Sequence, residues 1–399
     1  MKKRLLMLLS AAVCLTFVLA GCGSSDAGQN AAAGSDSAES AGIGNEESAG
    51  STAPNDSGAA DGEAADKDDE SEAGEAVTLN VAMLGKDIKT ACVILAKELG
   101  YFEEEGVSVN FEQVSSLPEG LTAVSTGKLD VLPYGVIPSC SFVSQGTDVV
   151  VFGGTISEGS EAIALPENKD SFKNPEDFKG KKIGCFRMET GHMVMKGYLR
   201  EAGLDITSDV EFIYLDSQAS IMEAVLKGEV DLGFVNSGYG YIAKQSGAEV
   251  AFAVGDYVED FPCCRQTTSR QALNEKKDAL IKFETALLRA YDVYLNDHDT
   301  VIEKLTAYSG QDAAYVEAIM YGTDDYENAM IISLDPNKKK VVDFYEVMKA
   351  NGDIDASTPY DMADYIDTTV YESALNIMLE RGTNEAMYQQ LLKEFEEND

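Results

Sequence analysis

Two stretches of this 399-residue chain carry the same residues at a fixed offset of 101 positions. Val109, Phe111, Ala123, Val124, Gly127 and Asp130 recur as Val210, Phe212, Ala224, Val225, Gly228 and Asp231. Each stretch reads as strand, helix and strand: apolar residues alternate over 107–114, recur at helical spacing over 118–126, and cluster over 129–132. Ordinary α/β patterning would keep that periodicity but not a glycine and an aspartate at one offset, so the chain holds two copies of one unit. Strands and helices that alternate with short links demand a mainly parallel sheet covered on both faces. The fold class is therefore α/β.

The flanking segments extend both copies. Residues 78–83 alternate as a strand, and 88–99 carry apolar residues at helical spacing up to Gly100. A helix over 137–144 and a strand over 149–152 follow, then a short strand over 161–165. A capped turn over 174–180 leads to a strand at 182–185, which opens a second lobe running to about 254. Residues 266–269 are expected to return as a strand beside 161–165, giving a two-strand hinge. Helical spacing then dominates over 275–295, 301–307, 313–320, 338–349, 362–377 and 384–396. These helices are expected to pack on the first lobe. Lobe 1 is thus read as 77–160 with 270–399, and lobe 2 as 161–269.

Charge limits the partners. With 31 Lys and Arg against 69 Asp and Glu, the chain carries a formal charge of −38. Phosphate backbones and anionic membrane surfaces are bound by basic stripes, so nucleic acid and a polybasic membrane contact are excluded. Only two histidines are present, which argues against a His-rich metal centre and most His-based catalysis. No cofactor and no metal are expected.

The N-terminus indicates export. Lys2, Lys3 and Arg4 precede an apolar stretch over 5–20, too short for a spanning helix of about 20 residues. Residues 1–21 read as a signal peptide. Leu19, Ala20 and Gly21 ahead of Cys22 resemble the bacterial lipobox, which implies that Cys22 is lipidated with acyl chains such as palmitate. Residues 23–76 are almost entirely Gly, Ala, Ser, Asp and Glu, with Ile43 the sole large aliphatic. Such a segment cannot bury enough apolar surface to fold, and it reads as a tether with a reach of roughly 40 Å. Residues 77–399 retain a net charge of −28. The expected location is the outer face of a bacterial cell membrane, held only through the lipid.

Five cysteines remain beyond Cys22. Cys92, Cys140 and Cys185 sit among apolar neighbours, as buried free thiols do. Cys263 and Cys264 are adjacent, a pair that would give a strained, redox-labile vicinal disulfide, and no cysteine spacing matches a zinc site.

Specific phrases carry a family resemblance. They are Leu99-Gly100-Tyr101-Phe102 with Glu105-Gly106-Val107, then Gly127-Lys128-Leu129-Asp130-Val131. In the second copy they are Asp177-Phe178-Lys179-Gly180-Lys181-Lys182-Ile183-Gly184 and Gly228-Glu229-Val230-Asp231-Leu232. With the lipobox and the repeat, these resemble the ABC-transporter substrate-binding lipoproteins of the nitrate, taurine and alkanesulfonate group, which includes pyrimidine-precursor (SsuA/THI5-like) binding proteins. The resemblance implies a type II periplasmic-binding-protein fold with a two-strand hinge and extra C-terminal helices. It implies a monomer that captures a small molecule between closing lobes and delivers it to a permease and ATPase, with no catalysis. The expected cargo is a small organic anion, alkanesulfonate- or taurine-like. A neutral planar heterocycle such as a pyrimidine is the alternative, and a pyrimidine-precursor synthase-like enzyme on the same fold is a second.

In open α/β sheets, ligands bind beyond the carboxyl ends of the strands. The loops predicted there offer Lys86, Asp87, Ser116, Tyr134, Gly135, Gly154 and Thr155 from the first copy. The second offers Arg187, Thr190, His192, Asn236, Ser237 and Tyr239. Competing roles stand beside these: Ser116, Thr190 and Ser217 serve equally as helix N-caps, Arg187 as a partner of Glu189 or Glu223, and His192 as a structural residue. Gly153 and Gly154 fit a turn into the hinge, and Asp130 and Asp231 fit structural turns. Tyr134, Tyr239 and Tyr241 are the aromatic set suited to walling a ligand.

Overall fold

The computed structural model describes residues 76–399. The signal peptide, Cys22 and residues 23–75 of the tether lie outside the described residues. Among the described residues, ten strands form two sheet systems. In the first, β1 (Thr78–Met83) pairs in parallel with β2 (Ser108–Gln113). The segment predicted as a strand over 129–132 contributes only bridges: Val81 to Val131 in parallel and Leu132 to Thr267 antiparallel. Those bridges join β1 to an antiparallel trio in which β3 (Val149–Ser157) lies between β9 (Cys264–Ser269) and β10 (Ile331–Ile332). The second sheet has the order β6-β5-β7-β4-β8, with β4 (Ser160–Ala164), β5 (Lys181–Cys185), β6 (Val210–Tyr214), β7 (Leu232–Asn236) and β8 (Glu249–Ala253).

The 101-residue repeat is visible in the geometry. Asp130 Oδ2 accepts from the Asn80 amide at 2.8 Å, and Asp231 Oδ2 accepts from the Lys182 amide at 2.9 Å. Each carboxylate thus ties its own strand entry to the neighbouring parallel strand, which explains why both copies keep an aspartate. Gly127 and Gly228 both hold φ near +70° (72° and 68°), where a side chain would be strained. Ser116 and Ser217 are a further pair at the same offset. Both are extended N-caps, accepting from the amides of Glu119 and Ser220.

One expectation is overturned. β9 does not lie beside β4; it pairs antiparallel with β3, from Val149–Ser269 to Ile156–Cys264. β4 instead pairs with β7 and β8. The chain leaves the first sheet at 157–160, completes the second with β4, and returns near 264 to complete the first with β9. The physical reason lies in β3. All nine of its residues are buried, so it needs ladder partners on both edges, which β9 and β10 supply. The two crossings touch: the Glu158 amide donates to the Phe261 carbonyl at 2.7 Å. Gly159 is required at this point, because a Cβ there would fall 2.1 Å from Cys263 Sγ.

Most C-terminal helices pack on the first sheet. Lys277–Asn296 lies against Ala91–Glu98, with Phe283 stacked on Phe102 at 5.1 Å. Glu105 receives both Arg289 (2.7 Å) and Arg381 (2.6 Å), which pins Thr369–Arg381 to the same body. Lys338–Asn351 departs from the expectation. It packs on Thr190–Glu201 of the second sheet, where Lys196 pairs with Asp353 and Val347 fills the space beside Gly197. No described helix is long and apolar enough to cross a membrane.

Candidate functional site

Loops leaving β1, β5 and β7 at their carboxyl ends meet in one cleft, joined by the loop after the 131–132 segment. Two cavities lie there. The larger, about 290 Å³, is lined by Lys86, Asp87 and Lys89 after β1, by Asn236, Ser237 and Tyr239 after β7, and by Gln218, Gln311 and Tyr315. The smaller, about 130 Å³, shares Asp87, Lys89 and Asn236 with it. Its other walls are mostly apolar: Leu84, Leu117, Tyr134, Ile137, Pro138, Phe186 and Met188, with Glu189, Thr190, Cys263 and Cys264 as the polar part. Two larger hollows, about 530 and 500 Å³, collect no strand ends from both sheets and are lined chiefly by C-terminal residues.

Lys89 is the central charge. It is 8% exposed and lines both cavities. Burial opposes its charge most strongly, yet Asp87, Cys264, Cys263 and Glu189 outweigh that and hold the ammonium above the ordinary lysine range. Asp87 accepts from the Lys89 amide at 2.8 Å, which fixes the loop. Glu189 is 2% exposed and caps Thr190–Glu201, accepting from the Gly191 and His192 amides at 2.8 and 2.7 Å and from the Ser160 hydroxyl. Burial pushes its carboxyl up, against those hydrogen bonds and Lys89. Thr190 Oγ1 lies 3.2 Å from Cys263 Sγ, which lies 3.8 Å from Cys264 Sγ. Behind the cleft, Glu161 accepts from the Gly238 amide at 2.7 Å and from the Tyr326 hydroxyl.

Eight of the thirteen sequence-derived candidates line these cavities: Lys86, Asp87, Tyr134, Gly135, Thr190, Asn236, Ser237 and Tyr239. Tyr134 directs its hydroxyl inward as an acceptor for the Leu84 amide at 3.1 Å. Five candidates point elsewhere. Ser116 is spent as an N-cap. Gly154 gives its amide to the Leu334 carbonyl at 2.7 Å, and a side chain there would strike the Ser333 carbonyl. Thr155 donates to the Pro133 carbonyl at 3.2 Å. His192 is buried edge-on against Phe212 and Tyr214, and burial, with Lys196 and Arg187 nearby, brings its pKa down to about 3. It stays neutral.

Arg187 is the sharpest departure. It is exposed, with its guanidinium 4.2 Å from the centre of the Tyr214 ring. It pairs with neither expected carboxylate, since Glu189 is a cap and Glu223 holds Lys227. Replacing Arg187 by Ala is therefore expected to change the affinity of a ligand bound in the cleft by less than about fivefold, the limit for an exposed charge. Titration calorimetry reads this directly, and a loss beyond tenfold would place the guanidinium at the ligand after all.

Sequence reasoning missed Lys89, Glu189, Gln218 and Tyr315. Among the described residues, no group of three or more His, Cys, Asp or Glu is placed to hold a metal ion.

Two lobes' worth of strand ends converging on a cleft define the periplasmic-binding-protein class of fold. The periplasmic nitrate-binding protein NrtA from Synechocystis PCC 6803 superposes with a TM-score of 0.63 at 15% identity, covering 76% of this chain and 89% of that one. The desulfurization enzyme DSZB also shares the fold, with a TM-score of 0.55 at 14% identity over 76% of this chain and 99% of its own. The chain belongs to the NMT1/THI5-like family, which it matches over residues 87–301. An aliphatic sulfonates-binding protein of Escherichia coli K12 is 29% identical over 114 residues, which is 29% of this chain and 35% of that relative. The matched region thus spans about a third of that relative's length.

Proposed function

We propose that this protein is the extracytoplasmic solute-binding component of an ABC importer and captures a small organic anion, alkanesulfonate- or taurine-like, without altering it. The observation that carries the reading is Lys89, a buried ammonium shared by two cavities where loops of both sheets meet. Lys86 adds a second positive charge to the larger cavity, with Gln218, Asn236, Ser237 and Tyr239 as further donors. An anionic head group in that cavity would leave its organic part for the apolar walls of the smaller one. The nitrate- and sulfonate-binding names among similar proteins agree with such a cargo. In this reading 77–160 with 270–399 and 161–269 are the two lobes, and the cargo favours the closed state by bridging them. Lipid attachment at Cys22 would hold the protein beside its permease as a monomer.

A second reading is favoured by the smaller cavity alone. Tyr134 and Phe186, with Ile137, Pro138 and Met188, form walls suited to a neutral planar heterocycle. Titration calorimetry of the purified protein against taurine, a short alkanesulfonate, nitrate and an aminopyrimidine separates the two. A ligand at a hundred times its Kd also adds about 2.7 kcal/mol of stability, so a thermal shift should accompany true binding. Heat with the sulfonates alone supports the anion reading. Heat with the pyrimidine alone replaces it, and turnover of any of these would mark an enzyme instead.

A further inference from the structure

Cys263 and Cys264 have no part in the cargo reading, yet both line the smaller cavity at the point where the chain crosses back to the first sheet. Their sulfurs are 3.8 Å apart, and Thr190 Oγ1 is 3.2 Å from Cys263 Sγ. Lys89 lines the same cavity and acts on both sulfurs. We propose that Cys263 and Cys264 form a reversible dithiol–disulfide site within the cleft, oxidised by a hydroperoxide, with Cys263 as the attacking sulfur and Cys264 as the resolving one.

The roles follow from position: Cys263 Sγ has the Thr190 hydroxyl 3.2 Å away in the cavity wall and Cys264 Sγ behind it at 3.8 Å. The hydrogen-bonded contact with Cys264, with Lys89 and Thr190 alongside, brings the Cys263 thiol below its ordinary range despite burial. The same hydrogen bond and burial hold Cys264 protonated. The remaining described cysteines contrast with Cys263. Burial pushes Cys140 and Cys185 up to about 12, and Cys92 higher still, so none presents a thiolate. Hydrogen peroxide is little larger than water, whose share of liquid volume is about 30 Å³, and the cavity of about 130 Å³ admits it.

The chemistry balances. The Cys263 thiolate attacks one peroxide oxygen and the O–O bond breaks. The departing hydroxide takes up the proton that Cys263 had released and leaves as water, and Cys263 becomes a sulfenic acid. The Cys264 sulfur then attacks the Cys263 sulfur, the S–O bond breaks, and hydroxide leaves as a second water with the Cys264 proton. Two thiols lose two electrons in total, and one peroxide becomes two waters. Ring closure removes the thiolate facing Lys89, so the charge of the cleft follows the redox state of the pair.

The test uses the full protein, reduced, freed of reductant and treated with hydrogen peroxide. Trypsin then cuts after Lys244 and Arg265 to give a peptide, 245–265, that contains both cysteines. The expected result is a peptide lighter by two hydrogens and closed to alkylation, with both thiols restored by dithiothreitol. In the C264S variant, dimedone should trap a sulfenic acid at Cys263. In C263S, Cys264 should stay open to alkylation. The proposal fails if the wild-type pair remains alkylatable after peroxide, or if Cys92, Cys140 or Cys185 oxidises as fast. It fails equally if dimedone labels Cys264 in C263S as readily as Cys263 in C264S. The wild-type peptide map decides the matter even where a variant does not fold.

Discussion

Replacing Lys89 by Met is expected to weaken binding of an anionic cargo by about a hundredfold. Truncating one partner of a buried charge pair costs about 2–5 kcal/mol, and each 1.4 kcal/mol is tenfold in affinity. The surroundings set the sign. Asp87 lines the same walls, so removing the ammonium leaves an anion facing a carboxylate with no buried cation beside it. The methionine keeps most of the side-chain volume, which confines the change to charge. Lys86 supplies the contrast. It is exposed, with its ammonium 4.5 Å from the centre of the Tyr308 ring, and Lys86→Ala should cost only a few-fold. Calorimetric titration with an alkanesulfonate measures both variants, with circular dichroism to verify folding. Equal losses at the two lysines would show that solvent-screened attraction, not the buried ammonium, holds the anion. Undiminished affinity in Lys89→Met would show that Lys89 does not hold the anion and would remove the observation on which the anion reading stands.

Lys89 also shows what a sequence hides. It falls at the start of a segment whose apolar residues, Ile88, Ala91, Cys92, Leu95, Ala96 and Leu99, read as a helix from residue 88. A lysine in that pattern passes for a solvated position. The helix proper begins at Ala91, and residues 86–89 form the loop that enters the cleft. Arg187 fails for the complementary reason. Its place just after β5 locates the loop correctly, but strand-end position does not say which way a side chain leaves the backbone. There the ring of Tyr214 offered a partner on the outside.

The architecture was more legible than the site. Asp130 and Asp231, Gly127 and Gly228 act at the level of the backbone, through strand-entry hydrogen bonds and positive φ, so one offset in the sequence maps onto one offset in space. Ser116 and Ser217 were legible in the same way, as a seventh identity at that offset. The placement of β9 was not. Alternation marks a strand but is blind to which sheet has an open edge, and here each crossing strand completes the sheet that the other one leaves.

Glu161→Gln is expected to make the protein more stable at pH 8 while leaving it unchanged at pH 4. Glu161 is 1% exposed, and burial raises its pKa from 4.5 to about 7 in spite of the Tyr326 hydroxyl, the Gly238 amide and Lys89. The unfolded chain releases this proton near 4.5 and the folded one near 7. Between those values the folded state binds more protons, so stability falls as pH rises through the window and stays reduced above it. The displacement corresponds to on the order of 3 kcal/mol. Glutamine keeps an oxygen for Gly238 and Tyr326 but carries nothing to ionise. Glu189, Glu284 and Asp335 are also raised by burial, so the quantity to follow is the difference between variant and wild type in denaturant unfolding. That difference should be near zero at pH 4, grow between 4.5 and 7, and level off. A difference that does not vary with pH would mean that Glu161 titrates as it does in water. Lys89 supplies an internal check. Its charge lowers the Glu161 pKa, so in a Lys89→Met background the rise should extend to higher pH. An unchanged window in that background would show that the two residues do not share one electrostatic environment.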